Sequence, residues 1–299
     1  MSDVNTSDFH PDVWKLFDRY VHGLIDRRGF LDGSAKYAVG GMTAVGMLEA
    51  LSPKYGEAQT QIQPDDARVK TERVEVKSPD GYGMIRVYMA RPANATGRLP
   101  AIVVIHENRG LNPHTEDVVR RFALAGYLVA GPDALTSLGG YPGNDDEGRG
   151  MQRKLEQPKM LADFVATARY VKGRSDATGR IGTTGFCFGG SIANQLAVQL
   201  GADLLASVPF YGGPPRAEDV PRIKAAMLIQ SAETDERINA AWPAYEAALK
   251  ANRVTYVRHL YPDTMHGFFN DTTPRFNKEA AALAWQRTLD HFGKHVKTM

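Results

Sequence analysis

The only cysteine in 299 residues, Cys187, sits in Gly185-Phe186-Cys187-Phe188-Gly189-Gly190. Residues 180–184 before it read as a strand and residues 190–200 after it as a helix, so the thiol falls where the chain must turn sharply. A nucleophile held on such a turn has a strained backbone. The residues two before and two after it must lack bulk for strand and helix to approach. This is the Gly-x-Ser-x-Gly elbow with sulfur in place of oxygen. Glycine is 29 of 299 residues, so two given flanks are both glycine by composition alone with a chance of about 0.01. A lone cysteine can form neither an intrachain disulfide nor a cysteine-based zinc site. The competing reading, a buried inert thiol, has no use for the two glycines.

A thiol nucleophile needs a base, and the base needs a group that fixes its tautomer, in the chain order nucleophile, acid, histidine. Of the eight histidines, His259, His266, His291 and His295 follow Cys187. His259 falls in the strand-like run 254–261, and His291 and His295 fall in the terminal helix. His266 lies in the loop Tyr261-Pro262-Asp263-Thr264-Met265-His266-Gly267-Phe268, after the last strand and before the last helix. The acid should follow the preceding strand, where Glu233, Asp235 and Glu236 stand. Asp235 is the first choice and Glu233 the second; the competing reading for each is a solvated loop carboxylate. The set then works as Cys187 thiolate attacking, His266 as general base and acid, and Asp235 orienting the imidazole.

The elements that must hold these groups alternate strand and helix from residue 70 onward. Residues 71–76 and 84–90 alternate like the arms of a hairpin with Asp80-Gly81 at its turn. Residues 100–106 form a continuous apolar run, as expected of a strand buried on both faces of a parallel sheet. Further strand-like runs lie at 128–130, 180–184, 205–209, 226–230 and 255–261. Helical patterns lie near 116–125, 158–173, 190–200, 241–251 and 276–292, the last with Ala282, Trp285, Leu289 and Phe292 on one stripe. The alternation predicts a three-layer α/β sandwich with a mainly parallel sheet over residues 66–299. Residues 131–150, rich in Gly, Asp and Pro, read as a long loop bordering the site.

Residues 1–65 differ and form a helical N-terminal extension, with an amphipathic helix from Asp12 to Ile25 carrying Trp14, Phe17 and Val21. Arg27-Arg28-Gly29-Phe30-Leu31 and the Ala/Gly-rich stretch 37–51 have two readings: a retained helical hairpin, implying a cytoplasmic protein, or a twin-arginine export signal, implying a periplasmic one. Asp32, Lys36 and Glu49 favour retention, as does the long preceding segment. This apolar arm is also a candidate homodimer contact. Lys+Arg 36 against Asp+Glu 34 gives a net charge of +2 without a clustered basic stripe, which argues against a nucleic-acid partner. Hydrophobic residues at 43% and charged residues at 23% are ordinary globular usage. No uncharged apolar run approaches the roughly 20 residues of a bilayer span.

Residues 70–297 resemble the dienelactone hydrolase family (carboxymethylenebutenolidases and relatives) of the α/β-hydrolase superfamily. The resemblance rests on Gly185-Phe186-Cys187-Phe188-Gly189-Gly190, Asp235, His266-Gly267-Phe268 and His106-Glu107-Asn108-Arg109-Gly110. It implies an α/β-hydrolase sandwich that hydrolyses a small ester or lactone through an acyl-enzyme; no cofactor is expected, and His106, His114 and Glu107 match no standard metal-ligand spacing. It further implies that Glu107 contacts the resting thiol and helps convert Cys187 to thiolate when substrate arrives, protecting it from oxidation. Read alone, Glu107 is equally a loop or capping carboxylate. The backbone N–H groups of Phe188 and Asn108 are the expected oxyanion hole. Two arginines expected to hold a dienelactone carboxylate are replaced by Asn270 and Ser137. Arg109 is a candidate substitute clamp or a structural ion pair. Phe268, with Phe186, Phe188, Phe269 and Tyr211, is placed to line an acyl pocket or the core. A thioesterase or acyltransferase would use the same three residues. A non-catalytic binding protein would have them broken, and a redox sensor would need a resolving cysteine that the chain lacks.

Overall fold

The computed structural model describes residues 8–38, 42–52 and 60–297. Its strands are β1 (Val69–Ser78), β2 (Gly83–Pro92), β3 (Leu99–Ile105), β4 (Leu128–Asp133), β5 (Ala177–Phe186), β6 (Ala206–Phe210), β7 (Ala226–Ala232) and β8 (Tyr256–Tyr261). They form one sheet in the order β1-β2-β4-β3-β5-β6-β7-β8. β2 pairs antiparallel with both β1 and β4, and β4 through β8 run parallel. The helices are α1 (Pro11–Val21), α2 (Arg27–Ser34), α3 (Ala44–Leu51), α4 (Pro113–Leu124), α5 (Asp145–Gln152), α6 (Gln157–Gly173), α7 (Phe188–Leu200), α8 (Glu236–Asn239), α9 (Trp242–Ala251) and α10 (Lys278–Phe292).

The period-two geometry of β3 divides its side chains between two cores. Ala101, Val103 and Ile105 join the residues of α6, α7 and α9, while Ile102 and Val104 join those of α4 and α10. Every one of these five is fully buried, as a central strand covered by helices on both faces requires. This is the three-layer α/β sandwich, and it aims the C-terminal ends of β3, β5, β7 and β8 at one edge.

Two expectations shift. The buried stripe of α10 runs through Ala281, Ala284, Thr288 and Phe292, leaving Ala282 exposed, because Thr288 Oγ1 is drawn inward to accept from Gln230 Nε2 at 3.2 Å. The stretch 131–150 is not loop throughout. Asn144 caps α5 by accepting from the Glu147 amide at 3.0 Å, and Asp145, Asp146 and Glu147 fill the first turn, where the helix dipole favours acids.

The N-terminal helices have a core of their own, built on Phe17, Phe30, Met47, Leu48 and Leu51, and it touches Met265 of the sheet domain. Arg27 and Arg28 open α2, which Asp26 caps by accepting from Gly29 N at 2.7 Å. Residues 39–41 of the Ala/Gly-rich stretch lie outside the described residues. Helix α1 stops at Val21, earlier than its apolar spacing suggests, because Gly23 takes a left-handed φ of 75° and turns the chain away. Among the described residues no helix is long and apolar enough to cross a membrane.

Candidate active site

Cys187 joins β5 to α7 with φ 57°, a left-handed conformation that a cysteine adopts only under constraint. The constraint is visible. Its amide donates to Phe210 O at 3.1 Å, and the flanking glycines leave no room for side chains. A Cβ on Gly185 would collide with the Gly189 backbone, and one on Gly189 would meet the carbonyls of Ile105 and His106, the latter at 2.6 Å. The thiol is thereby fixed at the sheet edge, 9% exposed.

Asp235 and His266 converge beside it. Asp235 caps the short α8, its Oδ1 accepting from Ile238 N at 3.3 Å, while Oδ2 accepts from His266 Nδ1 at 2.6 Å. Nδ1 therefore carries the hydrogen and Nε2 faces the sulfur. No hydrogen-bond partner for this Nε2 is found among the described residues. Glu233, the second choice for the acid, instead braces the loop of His266, accepting from Asp263 N at 2.9 Å. Burial pushes the Cys187 thiol up, but the imidazoles of His266 and His22 outweigh it and hold the thiol well below its ordinary range. Burial would lower His266, yet the thiolate and the Asp235 carboxylate raise it to about 9. Burial opposes ionisation of Asp235, and His266 overcomes it, keeping the carboxyl below its usual value.

The amides of Phe188 and Asn108 have no backbone acceptor among the described residues, and both residues line a cavity of about 260 Å³ at the thiol. Glu107 is turned elsewhere. It forms an ion pair with Arg109 and accepts from Asn270 Nδ2 at 3.4 Å. Arg109 is only 2% exposed and also pairs with Asp145 at 3.1 Å. It thus bridges two buried carboxylates and is not available as a substrate clamp. Arg109→Ala should lower stability by about 3–5 kcal/mol, since it strands two buried anions. A thermal melt reads this, and a KM change at unaltered melting temperature would contradict it. Phe268 is fully buried against Tyr211 and Tyr261 and belongs to the core. His106 is likewise a satisfied core histidine: Nδ1 lies 2.5 Å from Glu107 O, Nε2 accepts from Ala134 N at 3.1 Å, and burial lowers it to about 4.

Two contributors were not expected from sequence. His22, at the end of α1, has Nε2 3.4 Å from Cys187 Sγ. Asp18, four residues earlier, is the local signal that could have marked it, since an Asp–His pair at that spacing shares one helix face. The donor atoms of His22, Cys187 and His266 lie within 4.8 Å of one another, near enough for one cation to share. The second is Arg149 of α5, which is 3% exposed, lines the cavity and has a buried Nη1 with no partner among the described residues.

Similarity to known proteins extends over most of the chain. A sequence profile of the dienelactone hydrolase family matches residues 85–296, and a YqhI-like profile matches residues 1–39. A "Putative carboxymethylenebutenolidase" of Synechocystis sp. is 32% identical over 250 residues, covering 77% of this chain and 98% of the relative. The "Putative hydrolase fragment YghX" of Escherichia coli is 49% identical over 115 residues, 38% of this chain and 97% of the relative. The crystal structure of a "Putative Dienelactone Hydrolase" from Klebsiella pneumoniae superposes with a TM-score of 0.66 at 26% identity, covering 76% of this chain and 100% of that one.

Proposed function

The chain belongs to the dienelactone hydrolase family, whose members are carboxylic ester hydrolases, and we propose that it cleaves small esters or lactones through Cys187, His266 and Asp235. The observation that carries this reading is the strained elbow, which presents the sulfur beside a His266–Asp235 pair closed at 2.6 Å. In the reaction the Cys187 thiolate adds to the ester carbonyl. The resulting oxyanion lies between the amides of Phe188 and Asn108, and the alcohol leaves to give a thioester. Water activated by His266 then releases the acid.

The charged residues lining the cavity, Arg149, Arg153 and Arg237, are all cationic, which supports a substrate bearing an anionic group. Because the arginines expected at positions 137 and 270 are absent, that group would sit differently from a dienelactone carboxylate. The arm supports the retained-segment reading: Asn108 Nδ2 donates to Val21 O at 2.5 Å, so cleavage beyond α1 would strip a wall from the cavity.

The test is direct trapping. Acid quench of enzyme mixed with a p-nitrophenyl ester should give one acyl group on the peptide containing Cys187 by mass spectrometry. Turnover with no acylated Cys187 under any quench time would overturn the covalent route.

A further inference from the structure

His22 reaches the sulfur from the arm and not from the sheet. Gly23 ends α1 and leaves His22 at the helix terminus above the elbow. Nδ1 lies 2.7 Å from the Asp18 carbonyl oxygen and 3.2 Å from Asp18 Oδ1. Both atoms are acceptors, so Nδ1 carries the hydrogen and Nε2 the lone pair. Arg237, which can only donate, has Nη2 3.0 Å from the same Nε2 and requires the same tautomer. That lone pair faces Cys187 Sγ. His22 is thus held in the same tautomer as His266, with the Asp18 carbonyl oxygen taking the hydrogen bond and the Asp18 carboxylate close by. The two imidazoles meet edge to face with centroids 4.8 Å apart. His22 lines the 260 Å³ cavity together with Cys187 and Asn108, whereas His266 lines a second groove with Asp18 and Asp235. Glu107, the carboxylate expected to assist the thiol, is held by Arg109.

We propose that His22 is a second catalytic imidazole, which takes the proton of the Cys187 thiol and delivers it to the departing alcohol, leaving His266 to activate the water of deacylation. The proposal rests on Cys187 being the nucleophile. The S–H bond breaks as His22 Nε2–H forms, and the sulfur bonds to the ester carbonyl carbon while the carbonyl π pair moves to oxygen. On collapse the C–O pair leaves with the alkoxide, which takes the proton from His22. Water then gives a proton to His266 and adds to the thioester. The sulfur departs with the C–S pair and recovers its proton from His266. One ester and one water become one acid and one alcohol, with no oxidant or reductant.

The groups facing His22 are Asp18 on α1, Cys187 on the elbow, Arg237 on α8 and His266, with Arg275 and Asp235 behind them. Burial opposes a charge on His22, and the Cys187 thiolate and Asp18 outweigh it, raising its basicity. Arg237, with 41% of its side chain exposed, has room to withdraw when His22 is charged.

The experiment compares an ethyl ester and a p-nitrophenyl ester of one acid, assayed with EDTA present. Ethoxide needs a proton to leave and p-nitrophenolate does not. His22→Gln, which keeps polarity but cannot shuttle a proton, should lower kcat/KM for the ethyl ester at least about 100-fold and for the p-nitrophenyl ester less than about 10-fold. The pH midpoint for iodoacetamide alkylation of Cys187 should rise in the same variant. Should His22→Gln fail to fold, Asp18→Asn is expected to show the same leaving-group bias more weakly, about 10-fold. Equal losses on the two esters, or none on either, would overturn the proposal. So would wild-type activity that EDTA abolishes and added Zn²⁺ restores. Activity retained by Cys187→Ala in the same assays would instead strike the nucleophile, so the two failures are distinguishable.

Discussion

Cys187→Ala should lower kcat/KM for a p-nitrophenyl ester by about 10⁴-fold or more, whereas His266→Ala should lower kcat by about 10³-fold, with KM falling alongside so that kcat/KM changes little. Removing the sulfur removes the covalent route, leaving only the two amides to polarise a carbonyl for water. Removing His266 leaves the sulfur in place with His22 still 3.4 Å from it, so acylation proceeds on an activated ester while deacylation loses its base. His266→Ala should therefore release about one equivalent of p-nitrophenolate in a burst and then stall, its Cys187 acylated. Stopped-flow absorbance reads the burst. A slow linear release without a burst would show that acylation, too, depends wholly on His266.

Gly189→Ala should be among the most damaging substitutions of a single small group outside the reacting residues. The added methyl points at the carbonyls of Ile105, the last residue of β3, and of His106 just after it, and Ile105 cannot retreat without moving the centre of the sheet. Overpacking against backbone is expected to lower stability by at least about 3 kcal/mol, a fall of at least roughly 6 °C in melting temperature for a domain of this size. Gly150→Ala is the matched comparison. Nothing lies within 4 Å of its added methyl, it sits inside α5, and the change should raise stability by about 0.5–1 kcal/mol. Differential scanning calorimetry of the two variants reads both signs. Equal melting temperatures would mean that the elbow glycines are not sterically required.

The sheet was legible because its signals are local. The run from Ala101 to Ile105 is apolar at every position, and only a strand covered on both faces uses such a run in so few residues. The elbow was legible for a steric reason, since its two glycines answer a clash that any side chain would make. The fates of Arg109 and Glu107 were not legible. Asp145, which together with Glu107 immobilises Arg109, lies 36 positions away in a stretch whose composition reads as loop, and only the capped α5 brings it close. Phe268 followed the same logic: adjacency to His266 in sequence says nothing about which side of the backbone its ring takes. His22 was hidden by the order rule itself, which searches for a base only downstream of the nucleophile. Its signal, Asp18 one turn before it at the end of an apolar stripe, is the kind that a purely structural helix also carries.

The span of 165 positions between His22 and Cys187 has a consequence in time. At a synthesis rate of about 5–20 residues per second, His22 is made roughly 8–33 s before the cysteine. Helices α1 to α3 carry their own small core, centred on Phe30, and so have something to pack on during that interval. The sulfur is then the late arrival: the elbow closes onto an imidazole that the chain has already made, and any nascent chain paused short of residue 187 holds the base without the group it serves.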